Sequence, residues 1–108
     1  MNKVIITFYA SENYGSEYRA GYQSIEFAYE IGVDTVIIAD LKENNISDLQ
    51  KKFPNLNFIV ISSFIKSQSK LYKYTDFLPQ ILWHKSVLKF LRSLNLDNID
   101  TIWIQNGA

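Results

Sequence analysis

Four short runs rich in β-branched residues, Val4–Phe8, Thr35–Ala39, Phe58–Ile61 and Thr101–Ile104, constrain this chain more than any other feature. Each is too short for a typical helix and apolar enough to be buried on both faces, which is the pattern of strands in a parallel sheet. The segments between them are too long for hairpins, so they read as crossovers, and right-handed ones. The first crossover is the clearest. After Phe8 comes a polar turn, Tyr9 to Gly15, and then a helical pattern in which Gly21, Ile25, Ala28 and Gly32 recur on one stripe. Ser16 is the expected cap of that helix, and Glu17 sets a carboxylate against its positive end.

A second, shorter helix is expected from Asn44 to Lys52, with Asn45 or Ser47 near its start and Pro54 closing it. Phe64 to Thr75 has no clean period and reads as a loop. Asp76 then caps the longest helix, whose apolar face carries Trp83, Val87, Phe90 and Leu94 with Leu88 and Leu91 at its flanks. Lys85, Lys89 and Arg92 fall on the opposite side. The expected fold is therefore α/β, with a four-stranded parallel sheet in the order 3-2-1-4. That order puts the turn after the first strand where successive crossovers diverge, the place where open α/β sheets bind ligands. Trp83 and Trp103 read as core residues.

With 108 residues, of which 47% are hydrophobic, the chain suits one small domain with a real core. It has no cysteine, so disulfides, thiolate metal sites and a cysteine nucleophile are excluded, and a cytoplasmic location is expected. The start runs directly into a strand, without the apolar length of a signal peptide or a membrane span. A formal net charge of zero argues against bulk attraction to nucleic acid. The charge is uneven all the same. Between Phe64 and Ser93 six basic residues face one acid, Asp76, while the first half holds the acidic excess. Gln105-Asn106-Gly107-Ala108 follows the last strand where an α/β chain ordinarily turns into another helix. The chain is thus expected to be the amino-terminal part of a longer protein, or to receive cover from a partner.

The turn Tyr14-Gly15-Ser16-Glu17, followed by Gly21 and Tyr22, resembles the amino-terminal loop of GT-B retaining glycosyltransferases of the large bacterial family 4. That loop often reads Gly-Ser-Glu-Pro-Gly, then any residue, then Gly-Trp. Tyr18 and Arg19 depart from it, removing the middle glycine and one place where backbone could approach a ligand closely. Leu82-Trp83, then Asp100-Thr101-Ile102-Trp103-Ile104-Gln105-Asn106, is similar to a second feature of that family, although many relatives carry histidine where Gln105 or Asn106 stands here.

The resemblance covers nearly the whole chain and implies a Rossmann-like three-layer sandwich forming the acceptor-side domain of a two-domain enzyme. The other domain would hold most of the nucleotide-sugar. The substrate-binding residues it implies are Tyr14, Gly15, Ser16, Glu17, Gly21, Gln105 and Asn106, while the catalytic residues stay unassigned. It implies no metal and no cofactor beyond the nucleotide-sugar, a glycan or lipid-linked acceptor, and no activity for this domain alone.

Two associations stay open. Lys66, Lys70 and Lys73, interleaved with Phe64, Tyr72 and Tyr74, suit either a solvated face or peripheral contact with a membrane. Exposed apolar surface around the last strand and the long helix would lead to homo-oligomers. Plain alternatives stand beside the site as well: Gly15 and Ser16 suit ordinary turn and cap chemistry, Glu17 suits a surface carboxylate, and His84, at the edge of the apolar helix face, suits packing. The rival functional class is a flavodoxin-like electron carrier binding FMN, with Ser11 to Glu17 as phosphate loop and Ser62-Ser63 as a second flavin loop. Glu12 and Glu17 would repel that phosphate. A receiver-like domain is excluded, because strand one lacks an acidic pair at its tip and strand three ends in serines.

Overall fold

A computed structural model describes residues 3–62, 78–94, 99 and 101–105. In chain order the elements are β1 (Lys3–Thr7), α1 (Ser16–Glu30), β2 (Thr35–Ala39), a 3-10 turn (Lys42–Asn44), α2 (Ile46–Lys52), β3 (Asn57–Ile61), α3 (Leu78–Arg92) and β4 (Thr101–Gln105). The strands form one all-parallel sheet in the order β3-β2-β1-β4, as the sequence predicts. Val4 lies opposite Thr35 on one side and Ile102 on the other, which fixes the register at the sheet centre.

Strand alternation divides the core in two. Ile5, Val36 and Ile38 pack with Ile25 and Ala28 of α1 and Leu49 of α2 on one face. Val4, Ile6, Ile37 and Ala39 pack with Trp83, Val87 and Leu91 of α3 on the other. The fold is thus a three-layer α/β sandwich of Rossmann-like type. The chain steps outward from β1 to β3 through α1 and α2, then returns past β1 to β4 through α3. With crossovers of one hand, that reversal of direction requires α3 to lie on the opposite face.

Each helix has a local reason for its limits. α1 ends in a Schellman motif: Gly32, at φ 90°, donates to the Tyr29 carbonyl at 3.3 Å, and Val33 donates to that of Ala28 at 2.9 Å. Ala28 and Val33 then meet in the same core cluster. The short helix is divided rather than continuous from Asn44. Asn45 takes a left-handed conformation at φ 45° between the 3-10 turn and α2, and its side-chain oxygen accepts from the backbone N–H of Asp48 at 3.4 Å. In α3, Trp83, Val87 and Leu91 form the buried stripe, and the Trp83 indole donates to the Ile61 carbonyl at 2.9 Å, tying the helix to the tip of β3. Leu88 is exposed instead of flanking that stripe. Lys85, Lys89 and Arg92 are exposed, as expected.

Trp103 corrects a second expectation. It shares a face with Ile5, its partner across the ladder, yet remains 37% exposed because α1 covers β1 and does not close over β4. Phe27, Ile31, Ile102 and Ile104 are exposed near it, leaving apolar surface along β4 and the flank of α1. The expected loop from Phe64 to Thr75, the cap at Asp76, and the basic and aromatic residues Lys66, Lys70, Lys73, Phe64, Tyr72 and Tyr74 lie outside the described residues. Among the described residues, no helix is long and apolar enough to cross a membrane.

Candidate functional site

Among the described residues, the amino and carboxyl ends of the sheet are held together by different devices. At the amino end Asp34 accepts from the Lys3 N–H at 3.0 Å and from the Thr35 hydroxyl at 2.6 Å, while its carbonyl accepts from Asn57 at 2.9 Å. Those contacts pull the starts of β1, β2 and β3 together. At the carboxyl end a single buried side chain does the equivalent work. The Asn44 amide nitrogen donates to the carbonyls of Phe8 at 2.9 Å and Ala39 at 3.0 Å, and its oxygen accepts from Ala10 N–H at 2.8 Å. Asn44 therefore clips the chain leaving β1 to the chain leaving β2, with both amide protons and one of its oxygen's two lone pairs used in doing so.

Above that clip the turn after β1 folds back on α1. Ser11 donates from its backbone to the Tyr18 carbonyl at 2.9 Å, and its hydroxyl accepts from Asn13 N–H at 3.2 Å. The helix begins one residue earlier than the sequence suggests. Gly15, not Ser16, holds the capping position, at φ 104° and ψ −179°, and no side chain caps the first turn. The reason is conformational: that φ suits only glycine without strain, so the chain enters the helix at Gly15 and Ser16 falls inside the first turn, where its side chain is not in the capping position. Ser16 and Glu17 are the first two residues of α1, both exposed, with Glu17 in the first turn as expected.

Gly21 has a different task from the rest of the motif. It is buried where α1 crosses the end of β1, and a Cβ there would lie 1.6 Å from the Tyr9 carbonyl oxygen and 2.9 Å from the Thr7 hydroxyl. The glycine thus permits helix and strand end to touch, and the space a ligand would need is filled by Tyr9. Tyr14, Gly15, Ser16 and Glu17 are together at the turn. Gln105 is brought to the same end of the sheet, since its backbone pairs with Thr7 at the tip of β1. Asn106 and Ser63 lie outside the described residues.

The turn separates two hollows. On one side a space of about 470 Å³ runs along the first turns of α1 past Gly15, Ser16, Arg19 and Gln23. Ala20 and Gln23 also line the apolar groove against Trp103 and Ile104, so this side faces β4 and the reversal of strand order. On the other side a space of about 390 Å³ lies between the turn and the segment Lys42 to Lys52, with Tyr14, Tyr22, Glu43 and Asp48 among its walls. Glu12 and Lys52 form an ion pair across its edge, and the Lys52 ammonium sits 5.1 Å from the centre of the Tyr22 ring. Burial, with the Glu26 carboxylate adding to it, holds the Tyr22 hydroxyl above the usual tyrosine pKa, so it remains protonated at neutral pH.

The second hollow is the part that the sequence reading missed. Its signal was the polar run Lys42-Glu43-Asn44-Asn45 just after strand two, which stands at a strand's carboxyl end as Tyr14 does. His84 lines neither hollow; it lies on α3, which packs on the other face of the sheet from α1 and α2, edge-to-face with Trp83 at 5.1 Å, and its burial lowers its pKa. Among the described residues, no group of three or more His, Asp and Glu is placed to hold a metal ion. No protein-family model, curated protein or solved structure matches this chain.

Proposed function

We propose that this chain is the acceptor-side domain of a glycosyltransferase that moves a sugar from a nucleotide-sugar to a glycan or lipid-linked acceptor. The observation that carries this reading is the Tyr14–Glu17 turn: its glycine, at φ 104°, opens an uncapped helix beside the β1–β4 boundary, where strand order reverses. A ligand there meets exposed side chains, first-turn N–H groups and the tip of β4 together. Glycosyl transfer needs a positioned acceptor and a stabilised anionic leaving group, and a cleft between two such domains supplies both while excluding water. In this arrangement Tyr14, Ser16 and Glu17 orient the acceptor. The leaving nucleotide is held by the opposing domain. No metal or bound cofactor takes part in this reading, and the enzyme works in the cytoplasm or on the membrane's cytoplasmic surface.

The test uses a protein carrying both domains, incubated with a panel of nucleotide-sugars and assayed for release of the nucleotide. Release dependent on an added glycan or lipid-linked acceptor, reduced at least tenfold in kcat/KM by Ser16→Ala with Glu17→Gln and with Tm unchanged, is the expected result. Absence of release across the panel, or a purified protein with flavin absorbance, overturns the reading.

A further inference from the structure

The hollow on the β2 side of the turn has its own chemistry. At about 390 Å³ it falls in the size range of small-molecule sites and is too small for a folded partner. Its walls carry groups of three kinds. Tyr14 and Tyr22 bring aromatic rings, Asn13 and Asn45 bring amides, and Lys42, Glu43 and Asp48 bring charges of both signs. An apolar ligand would strip water from those amides and charges without replacing the lost hydrogen bonds. An anionic ligand such as phosphate would face the carboxylates of Glu43 and Asp48 against the Lys42 ammonium, since Glu12 and Lys52 neutralise each other in their ion pair. Lys52 is also engaged by the ring of Tyr22.

A neutral ligand with many hydroxyls fits all three kinds of wall. Each hydroxyl both donates and accepts, so carboxylates, amides and ammonium groups are all satisfied by the same molecule. A sugar's C–H face also suits contact with a tyrosine ring, which offers apolar area and a hydroxyl at its tip. The framework is preset: Asn44 fixes the floor, and the Glu12–Lys52 pair ties the turn to α2 across the edge. We infer that this pocket binds a neutral saccharide ring, with Tyr14 as its exposed aromatic contact and Lys42 and Glu43 as hydrogen-bonding partners. That the saccharide is one ring of an acceptor reaching past Tyr14 to Ser16 on the other side of the turn rests on the transferase reading above, whereas the binding itself does not.

The 108-residue chain, labelled with nitrogen-15, tests this by titration with methyl glycosides of glucose, galactose, mannose and N-acetylglucosamine, and separately with inorganic phosphate and a nucleoside diphosphate. At least one glycoside should give saturable shifts confined to the backbone amides of residues 11–14, 42–49 and 52. Tyr14 is 57% exposed, so Tyr14→Ala should leave Tm unchanged and weaken binding about fivefold, the scale of one lost aromatic contact. A Glu43→Gln variant, also stable, should weaken it again. No glycoside shift at those amides, stronger shifts there with phosphate or the diphosphate, or unchanged binding in Tyr14→Ala overturns the inference. Glycoside binding in a protein that transfers no sugar would remove the transferase reading and leave the pocket standing.

Discussion

Replacing Asn44 by alanine removes one side chain and orphans three backbone groups. The Phe8 and Ala39 carbonyls lose their donor and the Ala10 N–H loses its acceptor, all at residues 2% exposed or less. At about 1 to 1.5 kcal/mol for each buried bond, with some relief from water entering the vacated space, the loss is about 3 kcal/mol. That is a large part of the total stability of about 5 to 15 kcal/mol expected for a domain. Urea unfolding followed by the fluorescence of the buried Trp83 reads it directly. With a slope of about 1.5 kcal/mol per molar, the midpoint should fall by about 2 M.

Asn44→Asp separates hydrogen bonding from volume. The aspartate still accepts from Ala10, but its second oxygen faces two carbonyls, which hold the folded-state pKa above the unfolded value of about 3.9. The native variant then binds more protons than the unfolded one across that interval. Its stability is therefore best at low pH and is lost as pH rises through the folded pKa. A loss under about 0.5 kcal/mol in Asn44→Ala, or an Asp variant with no acid recovery, would refute the idea that this amide clips the two strand ends.

The two glycines of the turn motif should fail for different reasons. Gly21→Ala drives a Cβ into the Tyr9 carbonyl and should cost more than 3 kcal/mol or abolish folding, whereas Gly15→Ala meets nothing within 4 Å and should cost only about 1 to 2 kcal/mol of backbone strain at φ 104°. Thermal unfolding of both variants ranks them. His84, whose pKa burial lowers, binds protons more readily in the unfolded chain, so stability should decline as pH falls below about 6.5. His84→Gln should flatten that decline in a series of melts from neutral to mildly acid pH. The apolar surface of Phe27, Ile31, Trp103 and Ile104 should drive self-association, measured by sedimentation and reduced by Trp103→Glu at unchanged helix content. A concentration-independent monomer would count against it.

How far the sequence could be read depends on the range over which each residue's environment is decided. Val36, Ile37 and Ile38 are buried because a central parallel strand is covered on both faces, and a run of consecutive apolar residues already states that. The stripe of Gly21, Ile25 and Ala28 is equally local, since helix geometry alone puts those residues on one face. Strand order followed from the hand of the crossovers and the position of the polar turn, which are rules of connection rather than of contact.

Apart from the helix start, the misreadings turn on information outside the local window. Ser16 is the favoured residue type for a cap, but the backbone conformation of its neighbour Gly15 had already made the turn. Trp103 has the composition of a core residue, yet burial depends on what lies across from it, and α1 stops short. Asn44 is the sharpest case. Its partners Phe8 and Ala10 stand 36 and 34 residues away, and no periodicity in the sequence links them. An asparagine beside a strand end reads as turn chemistry, and only the closed fold shows that its amide joins two strands and floors a pocket. The sequence motif Tyr14 to Glu17 stands at the carboxyl end of the sheet, as its place after strand one requires. The pocket beside it needed a contact made across the whole β1–α1–β2 unit, so a polar residue after one strand deserves to be weighed against the carboxyl tip of its neighbour as well as its own.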